Sequence, residues 1–231
     1  MTRNPGARRR SVAILFITLA VLVGLLFVVR FTMENRTPQA TDFERRCVES
    51  ALQSVTSLYR EFGFDVRLDP NIDITFSDLI TIGEGSTIEV LGLFDRATDS
   101  IWLTHFDSES FRSSRLVEMA PPECAYRMLA AHEIAHYFNS KLAPNLHPVI
   151  DELVAGYVQF ATVGDCDRER CLADCEQCRI CSLTRVSFAS YVHDPTSFLA
   201  GGYRYFASHQ NMLVRVLSGH PIIVRDPMMT E

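Results

Sequence analysis

The chain has 231 residues, enough for one domain with a proper core and room for an insertion. Its 22 basic residues are outnumbered by 28 acidic ones, a formal net charge of −6. Five arginines and no acid fall in residues 1–30, so residues 31–231 carry −11; that acidic body, without any basic and aromatic-interleaved stripe, excludes nucleic acid as the main partner.

Residues 1–10 form a basic tail containing Pro5 and Gly6. Ser11 to Val29 is an uncharged apolar run of 19 residues closed by Arg30. As a helix it rises roughly 28 Å, the depth of a bilayer's hydrocarbon core. Residues 11–30 therefore predict a transmembrane signal-anchor. A cleavable signal peptide is the competing reading, but its small-x-small cleavage site is missing after Val29, and Ala40 is the nearest weak substitute. Four arginines precede the span and only Arg30 and Arg36 closely follow it. The positive-inside bias then predicts a single-pass membrane protein with a cytoplasmic N-terminus and a periplasmic or extracellular domain.

Residues 31–41 read as a linker and 42–231 as the folded domain. Asp42 is the expected N-cap of a helix carrying Phe43, Cys47, Ala51, Val55, Leu58, Tyr59 and Phe62 at helical spacing, stopped by Gly63. Alternation over 64–76 predicts two strands around Asp69-Pro70-Asn71. Thr87 to Phe94 and Ser100 to Thr104 predict two more, joined as a hairpin by the turn residues 95–99.

Pro121 and Pro122 then open a helix expected to reach about Lys141. Inside it stands His132-Glu133-Ile134-Ala135-His136. Residues four apart on a helix differ by about 40° of rotation, so His132 and His136 can converge on one metal ion. Glu133 lies beside that face, where it can take the proton of a water in the metal's open position. Apolar neighbours make the helix largely buried, so its polar side chains need partners. After a short connection, residues 149–160 predict a second apolar helix carrying Asp151 and Glu152. Glu152, with the longer reach, is the expected third ligand; Asp151 is expected to stay near the solvated, positive start of the helix.

These two helices resemble the zincin metallopeptidases, in the gluzincin-like branch of membrane-anchored bacterial type. There, His-Glu-x-x-His on one helix is completed by a glutamate on the next. In many bacterial members the second helix is similar to Glu-Gly-x-Ala-x-Tyr, which Glu152, Ala155 and Tyr157 match while Leu153 replaces the Gly. Gly92 to Asp95 and Ile101 to Leu103 resemble the hairpin whose edge strand holds an extended peptide in those families. Asn139 and Leu142 stand where the metzincin branch places Gly and His, which excludes that branch. Gly156 stands where thermolysin-like chains place an Asp bonded to a ligand histidine, so either another group supplies that bond or the site is weaker.

The resemblance implies an α+β, zincin-like fold: a small mixed sheet with an edge hairpin packed on the His-Glu-x-x-His helix and the glutamate helix. It implies a membrane-anchored zinc-dependent metallopeptidase that hydrolyses peptide bonds of a peptide or protein substrate. His132, His136 and Glu152 would bind zinc and Glu133 would act as the base. A zincin also needs a Tyr or His for the oxyanion; Tyr191, His193, Tyr203, Tyr205 and His209 are the candidates, on or near a helix capped by Asp194-Pro195. His105, His147 and His220 read as loop or surface residues.

Cys166, Cys171, Cys175, Cys178 and Cys181 crowd an insertion over 164–182 that reads as helix-poor. Their spacing would suit a second zinc or an iron–sulfur cluster in a reducing compartment. With the domain outside the cytoplasm, disulfides are the expectation. With Cys47 and Cys124 there are seven cysteines, so at least one is free or bridges two chains. The alternative function is a non-catalytic zincin-fold binding domain that contacts a partner through the disulfide-stapled insertion. A cytosol-facing cysteine-cluster protein would require the opposite topology.

Overall fold

In the computed structural model the described residues are 39–222, apart from 70–71, 84–87, 174–179, 181 and 184–185 and the side chains of 165 and 166. The expected transmembrane segment, Cys175, Cys178, Cys181 and the side chain of Cys166 therefore lie outside them. Among the described residues no helix is long and apolar enough to cross a membrane. The chain is mixed α and β, with a small sheet and mostly helices.

Helix α1 (Asp42–Glu61) begins one residue earlier than its composition suggests. Thr41, not Asp42, is the N-cap: its hydroxyl accepts from Glu44 N at 3.2 Å, and Glu44 Oε2 accepts from Thr41 N at 2.7 Å. Such a reciprocal pair satisfies two otherwise orphaned donors, which a lone Asp42 cannot do. Cys47, Val48, Ala51, Val55 and Tyr59 form its buried stripe, and Gly63 ends it in the left-handed region, φ 87°.

One sheet has the order β1-β5-β4, with β1 (Asp73–Ser77) parallel to β5 (Ser100–Thr104) and β4 (Gly92–Asp95) antiparallel to it. The β4–β5 turn is held by Asp95, whose carboxylate accepts from Ala97 N at 2.9 Å and Thr98 Oγ1 at 2.8 Å. Two expected strands differ. Residues 64–68 lie beside no partner strand, so of the 64–76 region only 73–77 is strand. The run 87–94 divides at Leu91, because Ile88–Val90 (β3) pairs with Ile80–Ile82 (β2) while Gly92–Asp95 pairs with β5. Strands β2 and β3 fall in a different compact unit from residues 37–79 and 91–231.

Short helices α2 (Glu109–Arg112) and α3 (Arg115–Met119) lead into α4 (Pro122–Leu142), whose residues 128–139 are all buried. It packs against α1, β4, β5 and α5 (Pro148–Ala161), and α5 packs against α8 (Pro195–Ser208). The α5–α8 approach explains Gly156: a Cβ there would lie 2.8 Å from Leu199 Cδ2, and one at Gly202 would lie 2.9 Å from the Leu153 carbonyl oxygen. The position where a thermolysin-like chain has Asp is here a helix-packing contact. The cysteine-rich stretch is not devoid of helix, since α6 (Asp165–Ala173) opens it. Helix α7 (Phe188–His193) precedes α8, which Asp194 caps as expected, and α9 (Gln210–Leu217) ends the described chain.

Candidate metal centre

Helix α4 carries His132 and His136 one turn apart, 8% and 9% exposed. Helix α5 starts from His147, whose ring Nδ1 accepts from Val149 N, with Pro148 in the first turn where no N–H is needed. That start brings Glu152 over the two imidazoles. His132 Nε2 and His136 Nε2 are 3.0 Å apart, His132 Nε2 is 3.3 Å from Glu152 Oε2, and His136 Nε2 is 3.6 Å from Glu152 Oε1. Four-coordinate zinc with bonds of about 2.0–2.1 Å would set its ligand atoms about 3.3 Å apart. His132, His136 and Glu152 could thus hold a metal ion, and they are the one such group among the described residues.

The far side of each ring decides which atoms face inward. His132 Nδ1 lies 3.0 Å from the Gln159 amide oxygen, and His136 Nδ1 lies 3.0 Å from Asp151 Oδ2. Both partners accept, so each Nδ1 is the donor and each neutral ring turns a lone pair inward through Nε2. Glu152 Oε2 is buried and accepts no hydrogen bond. Two nitrogen lone pairs and an unsatisfied carboxylate oxygen therefore meet at one point, an arrangement that repels itself without a cation or a proton between them. Burial alone would make both groups neutral. The Asp151 and Glu152 carboxylates outweigh it at His136 and hold its pKa well above the usual imidazole range. In return the charge of His136 opposes burial and holds Glu152 far below the usual carboxylate range.

Asp151 differs from its expected place. It is 5% exposed and sits behind His136, not at a solvated helix start. Its Oδ1 accepts from Asn139 Nδ2 at 2.8 Å, and Asn139 Oδ1 accepts from the Tyr59 hydroxyl at 2.6 Å. Arg96, from the β4–β5 turn, donates to Asp151 Oδ2 at 2.6 Å. Burial raises the Asp151 pKa, but His136, Arg96 and Asn139 together bring it below the ordinary value. The bond absent at Gly156 is supplied by Gln159, two helical turns beyond Glu152 on the same face, and by Asp151.

Glu133 lies against β4. A Cβ on Gly92 would come within 2.6 Å of Glu133 Oε1, so the strand approaches this closely only because residue 92 is glycine. Burial dominates over the charges of His132 and His136 and raises the Glu133 pKa above its ordinary value. From the other side comes Tyr191 on α7. Burial, followed by the nearby charges of Glu152 and Glu133, raises the pKa of its hydroxyl.

Among the C-terminal candidates it is Tyr191 that the fold brings to the ligands. Tyr203 stacks on Tyr157 with ring centres 5.7 Å apart, Tyr205 stacks on His209 at 4.5 Å, and His193 is exposed at the end of α7. His105 is no surface residue: it is 7% exposed, with Nδ1 2.9 Å from Glu44 Oε1. Cys47 and Cys124 are buried and form no disulfide, and the buried Cys171 thiol points to the Met119 carbonyl oxygen at 3.6 Å. Gln159 and Asn139 were within reach of sequence reasoning, because each lies on the helix face of a ligand at i+7 or i+3. Tyr59 and Arg96 come from distant segments and carry no such signal.

No curated protein and no solved structure matches this chain. A family model does, over residues 35–224, a span that contains the His-Glu-x-x-His helix, the glutamate helix and α7. The chain belongs to that family, a family of unknown function designated DUF6639.

Proposed function

We propose that this chain is a membrane-anchored, zinc-dependent metallopeptidase of gluzincin-like architecture. The observation that carries the reading is the meeting of His132 Nε2, His136 Nε2 and the unsatisfied Glu152 Oε2 at spacings suited to a small tetrahedral cation. Two imidazole nitrogens and one carboxylate oxygen are a donor set that catalytic zinc uses, with one position left open. Zinc held there would supply a Lewis acid for a scissile carbonyl and lower the pKa of a water beside Glu133.

The chain's own groups supply the rest. Glu133, with its pKa raised by burial, takes the water's proton and returns it to the leaving nitrogen. Gln159 and Asp151 fix the two imidazoles in the tautomer that turns Nε2 inward. Tyr191 lies near enough to feel the charges of Glu152 and Glu133, which supports it as the donor to the developing oxyanion. Strand β4 is an edge strand beside Glu133, so an extended peptide can lie along it. The apolar run 11–29 and the arginine excess before it support an anchor with this domain outside the cytoplasm.

Elemental analysis of the full-length protein in detergent, with mass-spectrometric analysis of a mixed peptide library, tests the proposal. One zinc per chain and metal-dependent cleavage are expected. Glu133→Gln should keep the zinc and lose cleavage by about 10²–10⁴-fold. Absence of stoichiometric zinc, or a Glu133→Gln protein as active as the parent, overturns it.

A further inference from the structure

Arg96 reaches the metal centre from outside the two ligand helices, and the chemistry above gives it no task. It follows the last residue of β4, in the β4–β5 turn. Asp95 fixes that turn through Ala97 N and Thr98 Oγ1, and Asp99 takes the left-handed region at φ 52°. The turn so built presents Arg96 to α5: Nη2 donates to Asp151 Oδ2 at 2.6 Å, and Nη1 to the Pro144 carbonyl oxygen at 3.5 Å. The same Oδ2 faces His136 Nδ1 at 3.0 Å, while Oδ1 accepts from Asn139 Nδ2 at 2.8 Å. A carboxylate turns easily about its last bond. Asn139 on one oxygen and Arg96 on the other stop that turning and leave Oδ2 on the His136 ring. The Asp151 side chain is 7% exposed and that of Arg96 39%, so a cation at the surface holds a buried acid. The turn has a second ion pair, Lys141 Nζ to Asp99 Oδ2 at 2.5 Å, but both of its partners are exposed and neither touches Asp151. Exposed pairs contribute little, whereas a buried carboxylate that loses its cation is badly placed.

We infer that Arg96 is a positioning residue for the metal centre: it locks the Asp151 carboxylate on His136 Nδ1, which keeps His136 Nε2 aimed at His132 and Glu152. The inference rests on the metal-binding part of the proposed function and adds a residue to it. It also ties the site to the edge strand. Gly92 opens β4 where the strand meets Glu133, and Arg96 stands just past its end, where it meets the brace of His136. One short strand thus sets both the base and a ligand. The direction of the effect separates this role from a plain charge. A guanidinium acting only as a charge repels a nearby divalent cation, so its removal would tighten metal binding. A positioning guanidinium does the opposite, because its removal frees Asp151 to turn away. Losing a partner of a ligand histidine costs about 10–100-fold in metal affinity, and Arg96 stands one hydrogen bond further out, so about tenfold is expected.

The test reads metal binding, so that it does not depend on turnover. Full-length protein in detergent is titrated with Zn²⁺ in competition with a chromophoric chelator. Arg96→Met, which keeps the length and removes the donors, should bind Zn²⁺ about tenfold more weakly than the parent. Arg96→Lys, which keeps the charge and a donor, should recover to within about threefold of the parent. On an Asp151→Asn background, Arg96→Met should change the affinity by about twofold or less, because Arg96 acts through that carboxylate. Lys141→Met, which breaks only the exposed pair of the same turn, should stay within about twofold of the parent. With Co²⁺ in place of Zn²⁺, the visible absorption of Arg96→Met should differ from that of the parent, and that of Lys141→Met should match it. Unchanged or tighter binding by Arg96→Met, no recovery by Arg96→Lys, a loss that adds in full to that of Asp151→Asn, an equal loss in Lys141→Met, or an unaltered Co²⁺ spectrum of Arg96→Met overturns the inference. A parent that binds Zn²⁺ and cleaves peptides, with an Arg96→Met variant of parental affinity, overturns it and spares the peptidase reading. The expected affinities with no cleavage by the parent do the reverse, and a parent that binds no Zn²⁺ overturns both.

Discussion

Two buried histidine–carboxylate clusters occur among the described residues, and they differ in what their oxygens meet. At the start of α1, Glu44 is 1% exposed and both its oxygens are used: Oε2 accepts from Thr41 N and Thr41 Oγ1, and Oε1 accepts from Phe106 N at 2.8 Å and faces His105 Nδ1. At the α4–α5 crossing, Glu152 Oε2 faces His132 Nε2, which already donates through its other nitrogen, and accepts nothing. The first carboxylate is surrounded by donors and serves as a clasp between helix α1 and the segment after β5. The second is surrounded by lone pairs and could serve as a metal ligand, the role proposed for it. A histidine beside a carboxylate therefore signals chemistry only when the hydrogen-bond inventory leaves acceptors facing acceptors.

That contrast can be broken by substitution. Glu152→Ala should release the metal completely under dialysis that the parent survives, whereas Glu44→Ala should leave zinc stoichiometry unchanged; elemental analysis reads both. Zinc kept by Glu152→Ala would move the third ligand elsewhere. Gly92→Ala comes next, because the new methyl group must displace Glu133 or β4. Misplacing a catalytic group by about 1 Å costs about 10²-fold, so kcat should fall by that order with metal content intact. Asp151→Asn removes the negative charge behind His136 without removing bulk, and metal affinity should weaken about 10–100-fold in competition with a chelator. An unchanged affinity would show that Asp151 braces only Asn139 and Arg96.

The smallest effects belong to the clasp. Glu44→Ala strips the acceptor from Phe106 N, Thr41 N and His105 and undoes the capping box, a loss of about 2–4 kcal/mol in urea unfolding. Burial alone would raise the Glu44 pKa, but the hydrogen bonds from Phe106, Thr41 and His105 outweigh it and the net shift is downward from 4.5. A carboxylate depressed on folding contributes stability that is complete above its unfolded pKa and disappears as pH falls through the folded value. The urea-midpoint advantage of the parent over Glu44→Gln should accordingly be constant near neutrality and shrink below pH 4.5. An advantage that persists undiminished at lower pH would mean that packing, not charge, holds the clasp.

Local pattern alone determined the chemistry-bearing helices. His132 and His136 at i and i+4 must share a face, Pro122 and Pro148 open their helices, and Glu152 is the acid of longer reach, so the meeting of these three side chains was legible as residue spacing. The β4–β5 hairpin was equally legible, because turn residues act locally. Pairing was not. Whether residues 64–68 find a neighbouring strand, or where the 87–94 run changes partners, depends on segments far away in the chain. The same limit hid the role of Asp151: its helix position predicted a solvated charge, while Tyr59, Arg96 and Asn139 converge to bury it behind His136. Tyr191 was one hydroxyl among several until the fold brought it within reach of the Glu152 and Glu133 charges and stacked Tyr203 and Tyr205 on other partners. Spacing along a helix follows from backbone geometry, which every short segment carries with it. The partners of a buried polar group follow from which distant segments the core brings together, and that only the tertiary structure decided.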